Sequence, residues 1–153
     1  MGNEGGDAIR DFQDLEVWQM AMDLSERIYR LTWEFPRHEV YGLASQLQRA
    51  SVSIPSNFAK GRMRGTRRDY AHFVSMARGS LAEVRTQLIL AQRLDYTTTE
   101  QSDALLNSSE HLARRLNALR RSLQSRLEPE QPITPVRSKP KTQNLKPKEG
   151  FSR

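Results

Sequence analysis

Between Tyr41 and Gly65 the chain reads YGLASQLQRASVSIPSNFAKGRMRG, and this stretch limits the possible folds more than any other. Leu43, Leu47, Ala50, Ile54 and Phe58 recur every three or four residues, which places them on one face of an α-helix. Beside that stripe runs a row of small and polar residues, Gln46, Ala50, Ser53 and Asn57. Small side chains admit a neighbouring helix closely, and covered amides and hydroxyls need partners. A helix of this kind is covered on more than one side, so it belongs inside a multi-helix assembly. Pro55 interrupts it, removing one backbone donor and predicting a kink. Two readings of the kink stand side by side. Either Ser51 and Ser53 satisfy the freed carbonyls, or the bend aims the basic end at a partner.

The other segments supply the neighbours. A first helix is expected from Asp14, with Leu15, Trp18, Met22, Ser25, Ile28 or Tyr29, Thr32 and Phe35 along its stripe, and Pro36 ends it. Aromatic residues at helical spacing usually bury, so Trp18 and Trp33 read as core or interface packing rather than base-stacking platforms. Thr66 is a good N-cap for a third helix, with Asp69 three residues on. Tyr70, Phe73, Ala77, Leu81, Val84, Leu88 and Ala91 mark its buried face, and Gly79 with Ser80 predicts a close helix crossing. Thr98 or Thr99 caps a fourth helix, whose stripe is Leu105, Ser109, Leu112, Leu116, Leu119, Leu123 and Leu127. The fold class is therefore all-α: an antiparallel, up-down four-helix bundle over residues 14–128. Residues 1–13 are expected to be a flexible N-terminus. From Pro129 five prolines and a run of lysines break every helical period, so residues 129–153 read as a disordered, basic tail.

Several function classes drop out. The chain has no cysteine, which removes disulfides, thiolate metal sites and cysteine nucleophiles and suits a reducing cytoplasm. No segment has the length or apolar character of a signal peptide or a membrane span. His38, His72 and His111 are scattered outside any metal-binding spacing, and no phosphate-cradling glycine loop occurs. Glu83 is an isolated carboxylate, expected to pair with Arg49 or to bond Ser53 or Asn57. The expectation is a protein that is no enzyme and carries no cofactor or metal.

Charge points elsewhere. The net charge is +6, but residues 1–48 carry −5 while residues 49–93 carry +7, with 0 over 94–128 and +4 over 129–153. One reading is phosphate contact by the basic segment, each neutralised phosphate adding salt-dependent affinity. The candidate nucleic-acid contacts are then Arg49, Lys60, Arg62, Arg64, Arg67, Arg68, Arg78 and Arg85, with Arg137, Lys139, Lys141, Lys146 and Lys148 in the tail. Another reading is an acidic face of one subunit meeting a basic face of the next, closing a ring. A merely solvated surface is the bland alternative, and it explains Arg114, Arg115, Arg120 and Arg121 as well as a second nucleic-acid surface does.

Three segments also carry a family resemblance. They are FQDLEVWQMAMDLSERIY from Phe12, the Tyr41–Gly65 stretch, and FVSMARGSLAEVRTQLILAQRL from Phe73. Phe12, Asp14, Leu15, Val17 and Trp18 fit the opening of the ribosomal-RNA intervening-sequence protein family. Arg49, Ala50, Ser53, Ile54, Pro55 and Asn57 fit its second helix, and Ala77, Gly79, Ser80, Leu81 and Glu83 its third. The resemblance implies a four-helix bundle over roughly Phe12 to Leu127, in a family without a settled activity. It extends to the accessory variability proteins of diversity-generating retroelements. Through them it implies a homopentamer that binds RNA or DNA and partners a reverse transcriptase. The alternative that the same resemblance implies is a structural or protein-interaction bundle with no nucleic-acid role. One position departs from the pattern: the family usually has Glu where this chain has Lys60.

Overall fold

The computed structural model describes residues 4–125, with side chains from residue 14 onward. Four helices follow one another: α1 Glu4–Thr32, α2 Leu43–Arg62, α3 Arg67–Arg93 and α4 Thr99–Ser125, with a 3-10 turn at Arg37–Glu39. Each helix packs on two others, α1 and α3 both lying against α2 and α4. That closed ring of sequential neighbours is an antiparallel four-helix bundle, and no strand occurs among the described residues. Residues 126–153, including Leu127, lie outside the described residues, as does the expected tail.

α1 begins at Glu4, ahead of the expected start at Asp14. An apolar stripe marks where a helix becomes buried, and backbone hydrogen bonding needs no such stripe to continue beyond it. The buried face of α1 follows expectation at Ser25, Ile28 and Thr32, with Phe35 beyond the helix, and differs in its N-terminal half: Val17, Ala21 and Leu24 are buried there, while Leu15 is 54% exposed and Met22 also faces outward. Apolar residues surround this helix on every side, so periodicity alone leaves its rotation undecided. Trp18 packs half-buried against the core as expected. Trp33 lies 68% exposed beyond the end of α1, with Arg30 over its ring, and so is not part of the core.

α2 and α3 form the most extensive pairing in the bundle. Leu47, Ile54, Phe58, Val74, Leu81, Val84 and Leu88 are completely or almost completely buried. Burying each stabilises the fold by about 1.5–3 kcal/mol. The small, polar row on α2 serves this contact: Ser53 Oγ and Ser80 Oγ share a hydrogen bond at 2.8 Å, and the Asn57 amide donates to Ser53 Oγ at 2.9 Å. The close approach falls at Gly61, where an added Cβ would lie 2.8 Å from Tyr70 Cδ2 and 2.9 Å from Phe73 Cβ. Gly79, expected to mark the crossing, is exposed with nothing within 4 Å of such a Cβ. It sits on the outer side of α3, away from the stripe. Glu83 is exposed as well and joins neither Arg49, Ser53 nor Asn57, and the hydrogen bonds of Ser53 and Asn57 run to Ser80 and within α2.

Pro55 lies buried inside a continuous α2. Its missing N–H orphans the carbonyl of Ser51. Neither hydroxyl expected to compensate reaches it: Ser51 Oγ donates to the Gln48 carbonyl and Ser53 Oγ faces Ser80. The partner is Ser25 of α1, whose hydroxyl reaches the Ser51 carbonyl at 2.9 Å and its own Ala21 carbonyl at 3.0 Å.

The helix ends follow local chemistry. Thr66 caps α3, its hydroxyl accepting from Asp69 N–H at 3.2 Å. Thr98, rather than Thr99, caps α4 in a reciprocal pair: its hydroxyl accepts from Gln101 N–H, and the side-chain amide oxygen of Gln101, Oε1, accepts from Thr98 N–H. α3 ends at Arg93, and beyond it Asp95 takes the left-handed conformation at φ 59° while the N–H of Tyr96 returns to the Ala91 carbonyl.

Candidate nucleic-acid interface

The basic residues between α2 and α3 gather at one end of the bundle. α2 ends as Met63 N–H bonds the Ala59 carbonyl and Arg64 N–H the Gly61 carbonyl, and the chain turns through Gly65 into the Thr66 cap. Four residues, Met63 to Thr66, thus bring the last turn of α2 beside the first turn of α3. Lys60, Arg62, Arg64, Arg67 and Arg68 all stand on this short segment.

They are not equivalent. Arg62 reaches back to α1, its Nη1 donating to Asp14 Oδ2 at 2.5 Å, with the Asp14 side chain 8% exposed and that of Arg62 35%. The Tyr70 phenol borders the same pair. Burial and then the Asp14 carboxylate push its pKa well above the usual range, with Arg62 pulling the other way. Arg64 stacks on Phe73, its guanidinium carbon 5.0 Å from the ring centroid. Lys60 and Arg68 are exposed and Arg67 half-exposed, and none has an ion-pair or hydrogen-bond partner among the described residues.

The surroundings add to this positive field. The first turn of a helix carries a partial positive charge, so cations there are disfavoured by about 0.3–1 kcal/mol each. Arg67 and Arg68 occupy that turn in α3, with only Asp69 to offset them. Their placement works against the stability of the helix.

The remaining candidates lie elsewhere. Arg49 is exposed on α2, roughly 16 Å along the axis from Lys60 at the usual rise per residue. Arg78 and Arg85 are half-buried and seven residues apart on α3. At 100° per residue they fall on the opposite edge of its buried stripe from Ser80, which puts them towards α4. Arg137, Lys139, Lys141, Lys146 and Lys148 lie outside the described residues. Asp14, Tyr70 and Phe73 were not among the sequence candidates, although they organise the arginines at this end. Asp14 had one visible signal: it is a carboxylate three residues before Val17, on the buried side of α1.

Among the described residues no group of three or more His, Asp or Glu side chains is placed to hold a metal ion, and no helix is long and apolar enough to cross a membrane.

The model of the 23S rRNA-intervening sequence protein family matches residues 13–118, most of the chain. The chain belongs to this family. A crystal structure of a protein of unknown function from the S23 ribosomal protein family of Bacteroides thetaiotaomicron has the same fold, with a TM-score of 0.67. It is 22% identical, and the alignment covers 71% of this chain and 98% of that one. No curated protein matches. Family membership thus agrees with the helical motifs that Asp14, Pro55 and Glu83 belong to, and the family itself carries no established activity.

Proposed function

We propose that the protein is a non-enzymatic, oligomeric accessory that binds RNA or DNA by its phosphates. The carrying observation is the end of the bundle at the α2–α3 turn. There Lys60, Arg67 and Arg68 have no partner among the described residues, and two of them stand where a helix disfavours cations. Arg64, stacked on Phe73, presents a fourth charge, while Arg62 is tied to Asp14 and acts as a brace. Arg49, Arg78, Arg85 and the tail residues Arg137, Lys139, Lys141, Lys146 and Lys148 would extend the track. Such contacts position a strand without reading its bases. In its fuller form the proposal is a homopentamer that serves a reverse transcriptase of a diversity-generating retroelement in the cytoplasm. Sequence resemblance alone supports that form.

The test is fluorescence anisotropy of labelled single-stranded RNA and DNA over a salt series, on the whole chain and on a Lys60→Ser/Arg67→Ser/Arg68→Ser variant. The logarithm of affinity should fall linearly with that of salt, and three lost contacts should flatten the slope by about 2–3. No measurable binding at low salt, or an unchanged slope in the variant, overturns the assignment.

One observation favours a second reading, a protein-interaction scaffold. Trp33 is 68% exposed and Tyr41 97% on the one connection between α1 and α2, and large apolar side chains brought to the same end of the bundle suit protein contacts. Light scattering on the same variant separates the two readings. A scaffold whose basic end is a subunit contact loses its assembled mass, whereas a nucleic-acid binder keeps it.

A further inference from the structure

The seam between α1 and α4 is the least extensive of the four helix pairings, and a groove of about 550 Å³ opens along it. Two bridges close its ends. At one end Arg27 Nη1 donates to Ser108 Oγ at 2.7 Å; at the other the Arg115 guanidinium grips Glu16 with bonds of 2.8 and 3.3 Å. From residue 16 to residue 27 the helical rise makes this span roughly 16 Å. Met20, half-buried, contributes the apolar surface between the bridges, with the buried Leu24 beneath it. On one wall stands Asp23, on the other His111 and Arg114. Asp23 and Arg114 are exposed and bond no other side chain among the described residues.

This combination is selective about what fits. An ionised carboxylate accepts hydrogen bonds and donates none, so Asp23 calls for a ligand with paired donors. Arg114, with His111 three residues before it on the same face, calls for an anion. The apolar strip between them calls for a flat, poorly hydrated body, and the volume lies in the range of small-molecule sites. Guanine has two parallel donors, N1–H and the N2 amino group, which match a carboxylate as a fork matches a fork. Adenine offers one donor beside an acceptor and would set N1 against Asp23. The tail of this chain is a poor occupant, because the groove already holds three arginines against two carboxylates and the tail is itself basic.

We infer that the α1–α4 groove is a site for a guanine nucleotide. The base lies over Met20 with its N1 and N2 donors on Asp23, and the 5′-phosphate is on Arg114 and His111. This site lies across the bundle from the α2–α3 pairing and stands or falls independently of phosphate binding at the turn.

The experiment is isothermal titration of the full chain with GMP, AMP and inorganic phosphate. A parallel titration uses a short adenosine oligonucleotide that starts with a 5′-phosphorylated guanosine. The expected result is saturable binding of GMP, with AMP and phosphate at least about tenfold weaker, given that one bidentate pair discriminates by about 1–3 kcal/mol. Asp23→Asn should bring GMP down to the level of AMP, and Arg114→Ser should weaken GMP and AMP alike. Both residues are exposed, and circular dichroism confirms that the variants fold. Equal affinity for GMP and the oligonucleotide supports the site with a free nucleotide as its source. An oligonucleotide about tenfold tighter supports it with an RNA end as its source. Absent GMP binding, AMP or phosphate binding as tightly as GMP, or an Asp23→Asn variant that keeps the preference each overturns it. The Lys60→Ser/Arg67→Ser/Arg68→Ser variant should bind GMP unchanged, so a failure of either assignment is visible without the other.

Discussion

The Ser25 hydroxyl on α1 lies 2.9 Å from the Ser51 carbonyl on α2, the oxygen that Pro55 leaves without its helical donor. A proline inside a buried helix is thereby satisfied from the neighbouring helix, and both Ser25 and Ser51 are buried at the contact.

Ser25→Ala should destabilise the bundle by about 1–3 kcal/mol, because it leaves a buried carbonyl unsatisfied. In a Pro55→Ala background the restored N–H at position 55 serves that carbonyl, so the same substitution should cost less than half as much. Urea unfolding of the two single variants and the double variant measures the difference. Strict additivity would show that the bond contributes nothing to this coupling.

Gly61 in α2 and Gly79 in α3 should respond to alanine with opposite signs. Gly61→Ala drives a methyl into Tyr70 and Phe73 at contacts below 3 Å and should cost about 1–3 kcal/mol. Gly79→Ala meets only open space and should gain about 0.5–1 kcal/mol from helix propensity. Thermal unfolding of both variants, with the assembled mass recorded, checks the pair.

Asp14→Asn removes the charge that Arg62 faces and should cost about 2 kcal/mol, in the range for hydrogen bonds to charged groups. Tyr70 links the same cluster to alkaline pH. Its folded pKa is raised above the ordinary 10, so the folded state keeps the phenol proton where the unfolded chain loses it. The stability contribution is fully present below pH 10 and declines as pH rises beyond it. Tyr70→Phe should make that decline shallower in chemical denaturation curves taken between pH 9 and 11, with Tyr96, whose pKa is also raised by desolvation and Glu39, retaining a part of it.

Glu39 should govern the acid limb. Its carboxylate accepts from Leu43 N–H at 2.7 Å at the start of α2 and from the Tyr96 hydroxyl at 3.1 Å. The backbone bond, with Tyr96 and His38, outweighs partial desolvation and lowers its pKa below the ordinary 4.5. A carboxylate with a lowered folded pKa contributes stability above its unfolded value and loses it as pH falls through the folded one. Stability should therefore drop below about pH 4.5, and Glu39→Gln should lower stability at neutral pH and flatten that drop. Unfolding midpoints from pH 3 to 7 read it directly.

Much of this architecture is legible in residue spacing. The stripes of α3 and α4 match the buried residues from Ala77 to Ala91 and from Leu105 to Leu123, and the hydroxyls of Thr66 and Thr98 cap the helices they precede. Capping and amphipathic periodicity are local, within one or two turns, so local sequence carries them. α1 was harder because Leu15, Val17, Trp18, Met20, Met22 and Leu24 put apolar groups all round it, and only the packing of α2 and α4 selects Val17 and Leu24 over Leu15 and Met22.

Periodicity, capping residues and the charge of residues 49–93 alone define an all-α bundle with a basic turn between its second and third helices. Which of those cations face solvent is a matter of tertiary structure. Arg62 and Lys60 lie two residues apart, yet Asp14, 48 residues upstream of Arg62, pairs with Arg62 and leaves Lys60 exposed. Likewise Ser25 meets the Ser51 carbonyl across 26 residues. Ion pairs and hydrogen bonds act over a few ångströms, and only the docking of α1 against α2 brings such distant positions within that reach.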